Sequence, residues 1–328
     1  MSSLRDPSSL SSEMAALIER IAREDGPQLD PTTLPAAQGR ALVAQSNHRW
    51  NLDLPKMAKV GEAQIDADAT LASAPVRLKV LVPPRHGAGA LIFVHGGGFA
   101  FCSPETHERC ARVLALECGL PVLVPDYRLS PEHPYPAGLT DVVATIRSVP
   151  AASQSFGLEE GPLLLAGDSA GANLALAALL HEQKAAAAAS PVVGALLFYG
   201  TYGSTLDTES YRKFENGPGL TTGKMQRYWQ WYSAGRDVSH DPLASPLVAS
   251  DEALRALPPL YLMAAGVDPL LCDSILLHKR LTGLGRADTL EVVAGVTHGF
   301  LQNTIDLAAA REALAAVGRA AKQMIAGN

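Results

Sequence analysis

Three separated stretches of the chain carry residue types that fit nucleophilic acyl transfer. Gly167-Asp168-Ser169-Ala170-Gly171 follows the apolar run LLLA and precedes a stretch of small, helix-forming residues. Serine is a weak nucleophile until a base stands beside it and a tight strand-to-helix turn pushes its Oγ into the open. Side chains two residues either side would collide where strand and helix approach, which accounts for glycine at 167 and 171. The pattern alone arises by chance roughly 0.16 times in a chain of this length, so its strand–turn–helix context carries the reading. His95-Gly96-Gly97-Gly98-Phe99 follows the apolar run LIFV. Acyl transfer passes through a tetrahedral oxyanion that needs fixed N–H donors at about 2.7–3.1 Å, and bare glycine backbone can come that close. The expected donors are Gly97 and Gly98, with Ala170 as the third, and His95 and Gly96 support the loop. Near the C-terminus, Asp268 and His298 each follow an apolar run, in Gly266-Val267-Asp268-Pro269-Leu270 and Gly295-Val296-Thr297-His298-Gly299-Phe300. His298 is the expected base, taking the proton of Ser169 and returning it to the leaving group. Asp268 is expected to hold the imidazole in the right tautomer and to stabilise its cation.

Other residues near these motifs read differently. Asp273 is a fallback acid, but its place at the start of a helix fits a structural role. His133 lies among prolines in Pro131-Glu132-His133-Pro134, a rigid turn. Asp168 adjoins Ser169, yet adjacent residues on such a turn point apart, so it reads as structural. Tyr127, Arg128 and Glu132 are expected to tie the loop under the oxyanion site. Cys102 reads as a bystander thiol near the pocket. An aspartate at position 169 would be the mark of an epoxide hydrolase or dehalogenase; this chain has serine.

Positioning these groups takes strands whose carboxyl ends share one edge. Candidate strands are Val76–Val82, Ala90–Val94, Pro121–Val124, Pro162–Leu165, Val192–Phe198, Leu260–Ala264 and Leu290–Val293. Several are continuously apolar, as strands covered on both faces are. Candidate helices are Thr106–Cys118, Ala137–Val149, Ala170–Gln183, Ser274–Leu284 and Ile305–Ile325. Strand–helix alternation predicts an α/β fold with a mostly parallel sheet and helices on both faces. Residues 1–55 break this rhythm: Ser11 or Ser12 can cap a helix with apolar positions Met14, Leu17, Ile18 and Ile21, and Pro31 and Pro35 then break the chain. Residues 201–245 break it again with Tyr202, Phe214, Tyr228, Trp229, Trp231 and Tyr232. They are expected either to cover a pocket or to form a helical pair with its own aromatic core. Phe99, Tyr202, Phe214, Trp229 and Trp231 are the candidate pocket residues.

Length and composition exclude several classes. With 328 residues, 47% hydrophobic and 18% charged, the chain can bury a large core and is not disordered. A net charge of -6 and no basic patch argue against nucleic acid. Cys102, Cys110, Cys118 and Cys272 show no C-x-x-C spacing, which disfavours zinc and fits free thiols in a reducing compartment. The N-terminal stretch lacks a secretory pattern, and the run Ala185–Ala189 is far too short to span a bilayer, so a soluble cytoplasmic protein without a membrane partner is expected.

Taken together, HGGGF at 95–99, PDYRLSPEHPYPA at 125–137, GDSAG at 167–171, DPL at 268–270 and THGF at 297–300 resemble the hormone-sensitive lipase family of α/β-hydrolases, including bacterial family IV esterases. The order Ser169, Asp268, His298 is that of the α/β-hydrolase fold. The resemblance implies an eight-stranded sheet and a helical cap built from residues 1–55 and 201–245, around a catalytic core of 56–200 and 246–328. It implies a serine carboxylesterase acting on short- to medium-chain esters through an acyl-enzyme, with no cofactor and no metal. The same triad could serve an amidase, lactonase or thioesterase. Some relatives are non-catalytic receptors lacking the histidine, which is present here. Relatives often pair through an edge strand, here Leu290–Val293, so a homodimer is an expectation. Two departures are Leu271-Cys272-Asp273 where the family often has R-D-E, and Ser130 where it often has alanine.

Overall fold

In a computed structural model, residues 9–27, 29–184 and 191–327 are described. The run Ala185–Ala189 and residues 1–8 lie outside them. Eight strands form one sheet: β1 (Lys59–Ile65), β2 (Val76–Val82), β3 (Ala90–Val94), β4 (Val122–Pro125), β5 (Leu163–Asp168), β6 (Val192–Phe198), β7 (Leu260–Val267) and β8 (Thr289–Thr297). Their order is β1-β2-β4-β3-β5-β6-β7-β8. The pairs β1/β2 and β2/β4 are antiparallel and the remainder parallel. The helices are α1 (Ser12–Asp25), α2 (Ala36–Asn47), α3 (Glu108–Cys118), α4 (Ala137–Phe156), α5 (Ala170–Lys184), α6 (Glu209–Lys213), α7 (Thr222–Ser233), α8 (Asp251–Arg255), α9 (Leu271–Gly283) and α10 (Ala308–Ala326). No helix among the described residues is long and apolar enough to cross a membrane.

The central strands are buried on both faces, which is why they read as unbroken apolar runs. Ile92 and Val94 of β3 enter the core under α4 and α5, whereas Leu91 and Phe93 enter the core shared with α1, α3 and α10. Strand β1 escaped the sequence reading for the opposite reason. Only Ile65 of KVGEAQI is fully buried, and the inward face of this antiparallel edge strand is made of the small residues Gly61 and Ala63 beside it, so it shows no apolar run. Helix α4 also differs from expectation. Rather than stopping at Val149 it continues through Pro150 to Phe156, with Ser153 Oγ donating to Val149 O at 2.7 Å and Phe156 packed in the core.

The two segments that interrupt the alternation both lie against the carboxyl ends of the strands. Ser11 caps α1 by accepting from Met14 N–H at 3.1 Å, and its own N–H donates to Gly295 O of β8 at 2.9 Å. Arg40 of α2 holds the next part. Its Nε donates to Ala100 O at 2.8 Å, its Nη2 to Ser130 O at 2.9 Å, and the guanidinium pairs with both oxygens of Glu132. Asn173 of α5 donates to Thr201 O (2.8 Å) and Ala244 O (2.9 Å), pinning both ends of the 201–245 insertion.

The tightest approach in this frame joins α5 to β3. A Cβ on Gly171 would stand 2.0 Å from Val94 O, and one on Gly167 would stand 2.4 Å from Gly171 O. Neither backbone can yield without parting strand from helix. Gly171→Ala is therefore expected to lower the unfolding free energy by about 3 kcal/mol, read from the urea midpoint at unchanged m. An unshifted midpoint would contradict this packing.

Candidate active site

Ser169 sits between β5 and α5 with φ +56, a left-handed conformation that a side-chain-bearing residue adopts at a cost. Its N–H donates to Phe198 O at 2.9 Å, and its carbonyl accepts from Ala172 and Asn173 in the first turn of α5. The Oγ therefore projects from the turn. His298 follows β8 and Asp268 follows β7, and both reach the same point. Ser169 Oγ stands 2.9 Å from His298 Nε2, and His298 Nδ1 stands 2.7 Å from Asp268 Oδ2. Asp268 is fully buried, and its other oxygen accepts from Leu270 N–H at 2.9 Å. With Nδ1–H donating to the carboxylate, Nε2 is left as the acceptor of the serine proton.

The glycine loop after β3 is held from several sides. Gly96 N–H donates to Asp168 Oδ1 at 2.8 Å, and Tyr127 OH donates to His95 O at 2.8 Å. The Tyr127 ring stacks on the His95 ring at 4.4 Å. Gly97 and Gly98 have φ of +116 and +60, and a Cβ on Gly97 would stand 2.2 Å from Phe101 O. The amide N–H groups of Gly97, Gly98 and Ala170 enter no hydrogen bond among the described residues, so they are available to a ligand.

Ser169, His298, Gly97 and Gly98 border a cavity of about 530 Å³. Its apolar wall comes from Met14, Leu17, Ile18 and Ile21 of α1, Val43 of α2, and Trp50. Leu220, Met225 and Tyr228 complete it from the insertion. The four α1 residues are the apolar positions legible in the sequence within the segment 1–55.

The five aromatic residues expected to line the pocket do not line this cavity. Phe99 stacks on Tyr232 at 3.8 Å and tilts against Trp229, and Trp231 meets Phe101 edge-on. Their area is spent docking α7 on the glycine loop. Tyr202 is fully buried beneath Gly200, and Phe214 is buried beside α6. Neither expectation for this segment fits these residues: the aromatic side chains of α7 pack on Phe99, Phe101 and Tyr135 rather than on a second helix of the segment. Tyr228 is the exception: its ring covers Gly98, where a Cβ would come within 2.4 Å of Cγ.

The sequence matches a family described as alpha/beta hydrolase fold over residues 91–302. The chain is an α/β-hydrolase of the hormone-sensitive lipase type. This α/β-hydrolase is 33% identical over 301 residues to carboxylesterase NlhH of Mycobacterium tuberculosis, across 88% of this chain and 92% of that protein. A thermostable esterase from Pseudomonas putida superposes with a TM-score of 0.88 at 26% identity, covering 97% of this chain and 98% of that one. The hyperthermophilic esterase of Pyrobaculum calidifontis gives 0.86 at 27% identity, covering 96% and 99%.

Electrostatics separates the hydrolase's candidate groups from their neighbours. Burial, aided by nearby His107, drives the His95 pKa down to about 3, so this imidazole stays neutral and serves its loop. Burial pushes the Cys102 thiol up to about 12, which leaves it unreactive. Asp168 is driven up by burial, but His107 and the Gly96 amide outweigh this and hold it below the usual carboxylate range. His133 is exposed and away from the cavity. Arg128 does not reach the loop; it pairs with Asp141 at 2.7 Å, and Glu132 reaches the loop only through Arg40. Among the described residues no cluster of three or more His, Cys, Asp or Glu is arranged to hold a metal.

Asp273, the fallback acid, is turned away from His298. It accepts from the N–H groups of Tyr202 (2.7 Å) and Gly203 (3.2 Å), fixing the start of the insertion. Burial raises its pKa from 3.8 to about 7, against those two donors, and the charge of Asp268 adds to the rise. The folded state thus holds a proton that the unfolded chain has released, so stability falls as pH climbs from 3.8 to about 7. Asp273→Asn keeps an acceptor for both amides without the charge. Urea midpoints across this window are expected to fall less steeply in the variant than in the wild type; equal slopes would contradict a buried neutral carboxyl.

Proposed function

We propose that this chain is a serine carboxylesterase hydrolysing short- to medium-chain carboxylic esters through an acyl-enzyme. The observation that carries the reading is the continuous hydrogen-bonded line Asp268–His298–Ser169, opening on a 530 Å³ cavity. That volume suits a small ligand, and its walls are mainly apolar. Relatives aligned along most of the chain are named esterases.

Ser169 Oγ attacks the ester carbonyl as His298 Nε2 removes its proton. Asp268 stabilises the imidazolium that forms. Negative charge gathers on the former carbonyl oxygen, where the N–H groups of Gly97, Gly98 and Ala170 receive it. Each such donor lowers the barrier by about 3–4 kcal/mol. His298 then protonates the leaving alcohol, and a water activated by the same imidazole releases the acid and restores Ser169. Residues 1–55 and 201–245 together act as a cap, supplying most of the apolar wall and shielding the acyl-enzyme. The substrate is a small neutral ester, and the residues present call for no cofactor.

Ser169→Ala is expected to lower p-nitrophenyl butyrate hydrolysis by at least ~10⁴-fold while circular dichroism and the unfolding midpoint stay near wild type. Turnover above a tenth of the wild-type rate would remove Ser169 from the mechanism.

A further inference from the structure

Gln302 and Asn303 follow His298 through a short 3₁₀ turn, Phe300–Gln302, and both border the cavity. Their backbone is well held: Asn303 N–H donates to Phe300 O at 3.0 Å, and Asn303 O accepts from Leu307 N–H at 2.8 Å. Their side chains have no such support. Asn303 is only 7% exposed, yet its Oδ1 and the Nε2 of Gln302 are closed off from solvent without a partner. Neither carboxamide makes a side-chain hydrogen bond to any described residue. Three other polar side chains of this cavity are occupied: Asp168 by the Gly96 amide, Ser169 by His298, and Asn47 by Cys102 Sγ at 3.8 Å. Buried amides left unpaired cost free energy that a matching ligand recovers.

We infer that Gln302 and Asn303 form a polar subsite for the alcohol portion of the ester, selecting neutral alcohols that bear a second hydroxyl. This rests on the esterase reading above. The side of the bond follows from the chemistry. His298 returns its proton to the leaving oxygen, so the wall continuing from His298 faces the alcohol. The ligand class follows from the donor set. Two uncharged carboxamides offer both N–H donors and carbonyl acceptors, which complement a hydroxyl rather than a carboxylate or an ammonium. A site that hydrogen-bonds a substrate hydroxyl discriminates strongly against the analogue lacking it.

The test compares hydroxyalkyl acetates of graded chain length with n-alkyl acetates in which a methyl replaces the hydroxyl. Values of kcat/KM come from acid release in a pH-stat. The hydroxyalkyl-to-alkyl ratio is expected to fall at least fivefold, at one or more chain lengths, in the Gln302→Leu/Asn303→Leu variant. Gln302→Leu alone, at a half-buried position, is expected to lower it at least threefold and carries the test should the double variant not fold. Turnover with smaller falls at every length overturns the subsite and leaves the esterase reading standing. No turnover of any ester, p-nitrophenyl acetate included, overturns both.

Discussion

Ser169 must stay in a left-handed backbone conformation, and much of the surrounding structure serves to keep it there. Its φ of +56 costs ~1–3 kcal/mol relative to an ordinary region. The N–H bond to Phe198 O, the helix launched from its carbonyl, and the contact of bare Gly171 with the Val94 carbonyl over-determine the turn. Only a closely packed strand–helix pair can do this, and that explains why small residues fill this part of α5. Once the serine is fixed, the sheet register decides what else can meet it. Parallel strands β7 and β8 end at the same edge as β5, so Asp268 and His298 arrive within hydrogen-bonding distance from 99 and 129 residues along the chain.

The glycine loop depends on the same turn. Asp168, one residue before the serine, points the other way and receives the Gly96 amide, so one short segment positions both Ser169 and the glycine loop beside it. Further support comes from the two segments outside the alternating core. Phe99 and Phe101 are packed by Tyr232, Trp229, Tyr228 and Trp231 of α7, while Arg40 of α2 grips Ala100 O between them. Displacement of either segment therefore disturbs the glycine loop as well as the cavity wall.

The sequence disclosed the chemistry more fully than the walls around it. The meeting of Ser169, His298 and Asp268 was legible because a candidate nucleophile, base and acid need particular residue types at the ends of apolar strands. The central strands were legible because burial on both faces leaves continuous apolar runs. Strand β1 was hidden because an edge strand with one solvated face and small inward residues, Gly61 and Ala63, has no such mark. The pocket residues were misassigned for a related reason: aromatic composition signals buried area without saying which cavity or core receives it. Trp229 and Trp231 spend theirs on α7 packing, and the stripe Met14, Leu17, Ile18 and Ile21 faces the cavity instead. Gln302 and Asn303 carried no signal, since only the structure reveals a buried amide without a partner.

The most direct test of this account is a crystal structure of the protein treated with an alkyl fluorophosphonate, which mimics the tetrahedral intermediate. The expected result is fluoride displaced and phosphorus bonded to Ser169 Oγ, with its phosphoryl oxygen about 2.7–3.1 Å from the amides of Gly97, Gly98 and Ala170. An unlabelled Ser169, or an adduct whose oxygen turns away from those amides, would contradict it.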